Sequence, residues 1–155
     1  MSRVLERFVK LRFKRNEKRP IIGMLQHTPI FSGLTARDLE SIANKFVERS
    51  FRADEPIVRK GEDGVGFYLI LEGLVEVRRS GKVLSKLGQG QFFGEMTLLD
   101  EQPRSADVMA VEQTRCLVLN TWNFSGLIHA YPSIASKIMR ELTRRLRITD
   151  QALTE

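Results

Sequence analysis

The hydrophobic residues of the chain follow two different periods. Between residues 47 and 120, short runs rich in Val, Leu, Ile, Phe and Tyr alternate with turn residues, and eight of the eleven glycines lie between Gly61 and Gly94. Evenly spaced short runs separated by glycine are typical of antiparallel β-structure. The pattern predicts strands over 56–60, 67–72, 74–79, 82–87, 105–111 and 115–120.

Apolar residues before this region recur at helical spacing. Thr35 precedes a stripe that contains Leu39, Ile42 and Phe46, and Asp38 stands three residues after Thr35. A hydroxyl followed three residues later by an acid predicts a capping box, although Asp is a weaker choice there than Glu or Gln. We therefore expect a helix that begins after Thr35.

Two more helices are predicted at the C-terminal end. Thr121 is the expected cap of the first, which ends before Pro132 because the residue before a proline disfavours helical geometry. Pro132 suits a first helical turn and opens a longer helix that extends to about Asp150. The predicted fold class is mostly β with flanking helices: an antiparallel β jelly-roll barrel at about 47–120, N-terminal helices, and two C-terminal helices at about 121–150.

Charge separates the first 20 residues from the rest of the chain. The 155 residues carry a net charge of +6, and residues 1–20 account for all of it, with eight basic and two acidic side chains. Apolar residues recur among these charges at helical spacing, which predicts a basic amphipathic helix that ends at Pro20. We expect this segment to precede one domain over 21–155. Two interpretations stay open: the segment contacts a membrane surface or a partner, or it is a solvated helix folded back on the domain or a partly disordered arm.

Composition excludes several classes of protein. No apolar run approaches the roughly 20 residues of a membrane-spanning helix, and the N-terminus lacks the apolar stretch of a secretory signal. Cys116 is the single cysteine, which excludes an internal disulfide framework and favours a cytoplasmic protein. His27 and His129 lie far apart in the sequence, whereas a metal site in a barrel needs several histidine and carboxylate ligands, so we expect no metal.

Candidate chemistry lies in residues 92–106. A short helix beginning near Gly94 would direct unpaired backbone N–H groups toward an anion. Arg104 adds a guanidinium that suits phosphate oxygens, and Glu95 adds acceptors for neighbouring hydroxyls. Together these groups suit a phosphate beside a sugar hydroxyl, as in a nucleotide. The alternative is that Glu95 and Arg104 form only a surface ion pair.

With these residues the sequence resembles the cyclic-nucleotide-binding domain family. The resemblance covers about residues 25–147 and includes further motifs at 28–34, 60–64 and 68–77. Its most specific part is 93–106, Phe-Gly-Glu-Met-Thr-Leu-Leu-Asp-Glu-Gln-Pro-Arg-Ser-Ala, which is similar to the phosphate-binding cassette of that family. The resemblance implies the jelly-roll fold and a nucleotide pocket that contains this segment.

The resemblance also implies a role for individual residues. Arg104 would pair with the cyclic phosphate, and Glu95 would accept a hydrogen bond from the ribose 2′-hydroxyl. Backbone N–H groups near Met96, Thr97 and Ser105 would complete the phosphate cradle.

The expected pocket extends beyond this segment. Gly73 lies between two predicted strands, where we expect the base or sugar to pack close to the backbone. The C-terminal helix offers Arg147, Ile148 or Leu153 to cover the base. The complete expected ligand-binding set is Gly94, Glu95, Met96, Thr97, Arg104, Ser105, Ala106 and Gly73.

The function implied by the resemblance is a sensor that binds cAMP, with cGMP as the second choice, and that needs no cofactor. No Ser-His-Asp set, paired carboxylates or P-loop is evident, so we expect no enzyme. Binding would swing the last helix over the pocket at a hinge around Tyr131-Pro132 and signal to a partner protein. Because few residues follow Asp150, we expect no helix-turn-helix DNA-binding domain.

Alternatives stay open at this point. The chain could be an interaction scaffold that keeps the fold without a ligand, or it could bind a cyclic dinucleotide. A 3-4 spacing, which is compatible with either a monomer or a homodimer paired through the C-terminal helix, is followed by Met139, Leu142, Leu146, Thr149 and Leu153. Phe92 and Phe93 are expected to fill a core rather than stack on a base.

Overall fold

Eight short strands and four α-helices make up the part of the chain that the computed structural model describes, residues 18–61, 66–94 and 106–154. In chain order the elements are α1 (Lys18–Gln26), a 3₁₀ helix (Pro29–Phe31), α2 (Ala36–Ala43), β1 (Val47–Phe51), β2 (Pro56–Val58), β3 (Gly66–Glu72), β4 (Leu74–Arg79), β5 (Lys82–Gly88), β6 (Phe92–Phe93), β7 (Asp107–Ala110), β8 (Thr114–Asn120), α3 (Thr121–Ala130) and α4 (Pro132–Thr154). Among the described helices, none combines the length and the apolar character needed to cross a membrane.

The strands form two antiparallel sheets of four. One has the order β1-β8-β3-β6 and the other the order β2-β7-β4-β5. Most neighbours in each sheet are distant in sequence, which is the connectivity of a jelly roll rather than of a simple meander. The predicted fold class, an antiparallel β jelly-roll barrel with helices on both sides in sequence, is confirmed.

The sequence-based prediction missed two strands, β1 and β6. In β1 only Phe51 is buried, because the strand contains Glu48, Arg49 and Ser50 and so has no apolar run. Strand β6 has only two residues, too few for any periodicity. The other six strands lie within about two residues of their predicted bounds where the structure describes them.

Strand β3 is buried on both faces and separates two hydrophobic cores. Phe67, Leu69 and Leu71 belong to a cluster with the helices, whereas Tyr68 and Ile70 belong to a cluster between the two sheets. Successive side chains of a strand point to opposite faces, so a strand between two cores must be apolar throughout. This explains the uninterrupted apolar run that β3 shows in the sequence.

Side-chain hydrogen bonds from the cap residues fix where helices α2 and α3 begin. The predicted capping box of α2 is confirmed: Asp38 N donates to Thr35 Oγ1 at 3.1 Å, and Thr35 N donates to Asp38 Oδ2 at 3.3 Å. The predicted cap of α3 is wrong by one residue. Asn120 has the extended backbone of a cap, and its Oδ1 accepts from Asn123 N at 2.8 Å, so Thr121 is the first helical residue.

The predicted end of a helix at Pro20 is also wrong. Helix α1 continues through Pro20 to Gln26. Pro20 stands in the first turn of the described helix, where a backbone N–H has no helical acceptor and its loss costs little. Residues 1–17, which carry most of the predicted basic helix, lie outside the described residues, and the division of the chain at residue 20 stays a prediction.

Gly73, between β3 and β4, adopts a backbone conformation that no other residue type would tolerate there. Its φ is +107°, and a β-carbon at this position would lie 2.7 Å from Gln113 O and 2.5 Å from Thr114 Oγ1. The positive φ and the close backbone of the neighbouring turn both require glycine. Packing within the protein is therefore sufficient to explain this residue, and its expected contact with a ligand stays a prediction.

Replacing Gly73 by alanine should destabilise the fold because the new β-carbon must displace backbone atoms. Gly81 is a matched control, since its φ is +78° and a β-carbon there would meet nothing within 4 Å. We expect Gly73→Ala to lower the free energy of unfolding by about 2 kcal/mol more than Gly81→Ala does, as measured by urea denaturation. Equal losses for the two variants would contradict this reading of the turn.

Candidate functional site

The structure describes three of the eight predicted ligand-binding residues: Gly94, Ala106 and Gly73. The other five lie outside the described residues, and their contacts stay predictions: Glu95, Met96, Thr97, Arg104 and Ser105. The same holds for the turn predicted at 60–64 beyond Gly61 and for the side chain of Leu153. The described geometry of the site is therefore that of the two ends of the cassette, at Gly94 and Ala106, and of Gly73.

The predicted cassette leaves one sheet and enters the other. On its N-terminal side, β6 pairs with β3 at the edge of the first sheet, with Tyr68 opposite Phe93, and Gly94 follows with a φ of +91°. On its C-terminal side, the buried Ala106 leads into β7, which lies between β2 and β4 in the second sheet. Both ends of the segment are thus fixed by sheet hydrogen bonds, one in each wall of the barrel.

Stacked aromatic rings form the inner surface beside Gly94. The rings of Tyr68 and Phe93 lie parallel within 6°, with centroids 4.8 Å apart, and both side chains are buried between the sheets. On the other face of β6, Phe92 contacts Phe67 with a centroid distance of 5.4 Å. The prediction that Phe92 and Phe93 fill a core is confirmed.

Helix α4 contacts β6 directly through Arg145. Arg145 Nη2 donates to the carbonyl of Phe92 at 2.8 Å, and the guanidinium carbon lies 4.7 Å from the centre of the Phe92 ring. Its Nε also contacts Glu141 Oε1 at 3.2 Å. A charged donor on a main-chain carbonyl and a cation over an aromatic face are both stabilising, so Arg145 joins the last helix to the strand that precedes Gly94.

Sequence reasoning did not single out Arg145, although a signal was present. The residue follows Leu142 by three positions and Ile138 by seven, so it lies on the apolar face that α4 packs against the protein. An arginine within an apolar stripe has its stem buried and needs a partner for its head group. That partner, the Phe92 carbonyl, is 53 residues away in the sequence and could not be found without the fold.

The start of α4 is held by the N-terminal elements. Tyr131, the residue before Pro132, donates its hydroxyl to Asp38 Oδ1 at 3.4 Å, and Lys137 Nζ donates to the carbonyl of Ser32. Desolvation and the neighbouring Asp38 carboxylate raise the pKa of Tyr131, so the hydroxyl stays protonated. Tyr131, which belongs to the predicted hinge, is therefore fixed to α2, and Lys137 fixes the following turns of α4.

The remaining candidates for chemistry have ordinary surroundings. Cys116 is fully buried in β8, and burial raises the pKa of its thiol to about 12, so it is not a nucleophile at neutral pH. His27 and His129 are exposed, and His129 Nδ1 lies 2.8 Å from the carbonyl of Ser125. Within the described residues no three His, Cys, Asp or Glu side chains are grouped as metal ligands.

Comparisons with known proteins bear on this arrangement. Residues 48–131 match the family model of the cyclic nucleotide-binding domain. The chain is 35% identical over 134 residues to the cyclic AMP receptor protein of Thermus thermophilus, a match that covers 83% of this chain and 62% of the receptor. The chain therefore spans less than two thirds of the length of this relative.

Solved structures share the fold over most of the chain. The catabolite activator protein of Thermus thermophilus superposes with a TM-score of 0.73 at 36% identity, covering 81% of this chain and 62% of that one. The regulatory subunit of a cAMP-independent protein kinase A from Trypanosoma brucei gives a TM-score of 0.77 at 23% identity, over 88% of this chain and 50% of that one. At that identity the second likeness shows the fold alone.

The contact between α4 and β6 can be tested by removing Arg145. Arg145→Ala should lower the free energy of unfolding by about 1–3 kcal/mol, because the Phe92 carbonyl loses a charged donor and the ring loses its cation. Arg144→Ala is the control, since Arg144 is exposed and contacts Glu141 within the same helix. Urea denaturation should show little change for this control. If both variants lose the same stability, Arg145 does not join the helix to the strand.

Proposed function

The chain belongs to the cyclic-nucleotide-binding domain family, and on that premise we propose that it is a non-catalytic sensor of cAMP. The observation that carries the proposal is the segment between Gly94 and Ala106. It begins in one sheet, ends in the other, and contains the Glu and the Arg that a nucleotide sugar and phosphate require. A ligand bound by this segment would lie at the barrel wall, next to the buried pair Tyr68 and Phe93.

Arg104 and Glu95 would each bind a different part of the nucleotide. Arg104 would place its guanidinium on the cyclic phosphate, while Glu95 would accept the ribose 2′-hydroxyl. A charge-assisted hydrogen bond of this kind contributes about 1.5–3 kcal/mol. In these roles both side chains only bind the nucleotide, and neither attacks the phosphate or activates a water molecule. The nucleotide would therefore be released unchanged.

The preference for cAMP rests on the relatives. The Thermus thermophilus receptor, at 35% identity, is named for cyclic AMP. The Trypanosoma brucei regulatory subunit belongs to a cAMP-independent kinase although its fold is the same. Since the jelly roll alone does not determine the nucleotide, cGMP remains the second candidate, and a cyclic dinucleotide is a third.

Helix α4 would carry the signal. Arg145 of α4 contacts the carbonyl of Phe92, which lies two residues before Gly94. A shift of the cassette toward the phosphate would therefore change the length of this hydrogen bond. A ligand can drive such a change only by the difference between its affinities for the two positions of the helix. The rearranged helix would then present a different surface to a protein partner.

Calorimetric titration with cAMP and cGMP tests the binding step. Arg104→Ala should weaken the binding of the preferred nucleotide by at least about tenfold, because the phosphate loses a charged donor. Arg52→Ala, which removes an exposed arginine from the turn after β1, is the matched control and should bind like the wild type.

Three results would contradict the proposal. If folded wild-type protein gives no heat with cAMP, cGMP or a cyclic dinucleotide, the chain is not a sensor of these nucleotides, and the scaffold interpretation takes its place. If a cyclic dinucleotide, titrated separately, binds although neither mononucleotide does, the sensor has a different ligand. Equal affinity of the wild type and Arg104→Ala would show that the phosphate binds elsewhere.

A further inference from the structure

A cleft of about 450 Å³ lies between helix α4 and the segment that contains the 3₁₀ helix. Pro29 is the exposed apolar residue of its floor, above the buried side chains of Ile30 and Phe92, and Lys137, Arg140 and further side chains of α4 form its charged wall. We call this the basic cleft. It lies on the helix side of β6, whereas the predicted cassette connects the two sheets of the barrel.

The charges of the basic cleft are not balanced within the described residues. Four cations line it, and Glu141 is the only carboxylate in the lining. Hydrogen bonds from Arg144, together with the charge of Arg145, lower the pKa of Glu141 and keep it ionised, and both arginines contact it. Lys137 donates to the Ser32 carbonyl. Among residues 21–61, 66–94 and 106–148, Arg140 forms no ion pair, so the cleft retains an excess of positive charge.

The positive charge continues beyond the cleft along one face of α4. Lys137, Arg140, Arg144 and Arg147 are spaced by three, four and three residues, which places them in one stripe. At 1.5 Å per residue the stripe is about 15 Å long. One small anion could contact only one or two of these side chains, whereas an extended polyanion could contact all four.

We propose that the basic cleft and this stripe bind an acidic peptide segment of a partner protein. Its carboxylates would contact the cations of α4, and an apolar side chain would pack against the exposed Pro29. This inference deepens the proposed function, and rests on it, in that α4 is the helix expected to carry the signal. An acidic partner on the stripe would detect a change in the position of α4.

Other occupants fit the charges and the shape less well. The chain's own residues 1–20 carry eight basic and two acidic side chains, so they would be repelled by the stripe. A second copy that approached with the same stripe would be repelled in the same way. A membrane surface is flat and would not reach the floor of a concave cleft. A nucleic acid strand would satisfy the stripe with its phosphates but would leave the exposed Pro29 without an apolar side chain to cover it.

Fluorescence anisotropy with a defined probe tests the proposal. The probe is a fluorescein-labelled peptide of about ten residues, all Glu except for a central Leu-Phe pair, long enough to span the stripe when extended. We expect saturable binding that weakens as salt is added, because the contacts are between exposed charges. Arg140→Glu and Arg147→Glu should each weaken binding by about tenfold or more. Lys45→Glu makes the same charge change on an exposed turn after α2 and should alter the affinity by less than about twofold.

The outcomes separate this inference from the proposed function. Arg140→Glu and Lys45→Glu are also titrated with cAMP, which reports on the nucleotide pocket independently of the peptide; Arg147→Glu is left out of this titration because Arg147 is a candidate to cover the base. Peptide binding that is lost in Arg140→Glu while cAMP binding is kept supports the basic cleft as a distinct surface. The inference is overturned if the probe does not bind, or if Lys45→Glu weakens binding as much as Arg140→Glu. It is also overturned if a single-stranded oligonucleotide or vesicles of anionic phospholipid bind more tightly than the probe.

Discussion

The short strand β6 links the two hydrophobic cores of this protein. Because neighbouring side chains of a strand point to opposite faces, Phe93 stacks on Tyr68 between the sheets while Phe92 contacts Phe67 and receives Arg145 on the helix side. Both rings are buried, so neither can move without displacing its neighbours. Gly94 follows immediately and is the second residue of the predicted cassette, 93–106. Residues on both sides of β6 are thus in contact with the strand that precedes Gly94: Tyr68 in the barrel interior and Arg145 on α4.

Helix α4 is held more firmly along its first half than along its second. Ile134 and Ile138 are buried in the helix-side core, and Lys137 is fixed to the Ser32 carbonyl. Beyond Leu142 the contact of Arg145 with Phe92 is the main connection to the barrel among the described side chains, since Leu146 and Ile148 are more than half exposed. Elements with few buried contacts open at lower free energy than the core, so the second half of α4 is the part that a ligand could reposition.

The sequence predicted those features that depend on neighbouring residues. Six of the eight strands, the capping box of Thr35 and the start of α4 follow from local patterns of apolar residues, glycine and proline. Strand β1 was missed because its polar residues are paired with β8, more than sixty residues later in the chain. The contact of Arg145 was missed for the same reason: its partner is a carbonyl, and a carbonyl has no sequence signature. The roles of Glu95 and Arg104 rest on the family resemblance and stay predictions.

Hydrogen exchange of the amides of α4, followed by mass spectrometry with and without saturating cAMP, tests the central claim most directly. If the nucleotide and the helix are coupled through β6, cAMP should slow exchange in Phe92–Gly94 and also in the half of α4 that follows Leu142, and Arg145→Ala should remove the second effect without removing the first. If cAMP binds and slows exchange only between Gly94 and Ala106, with α4 unchanged, the helix does not report on the pocket and the account is contradicted.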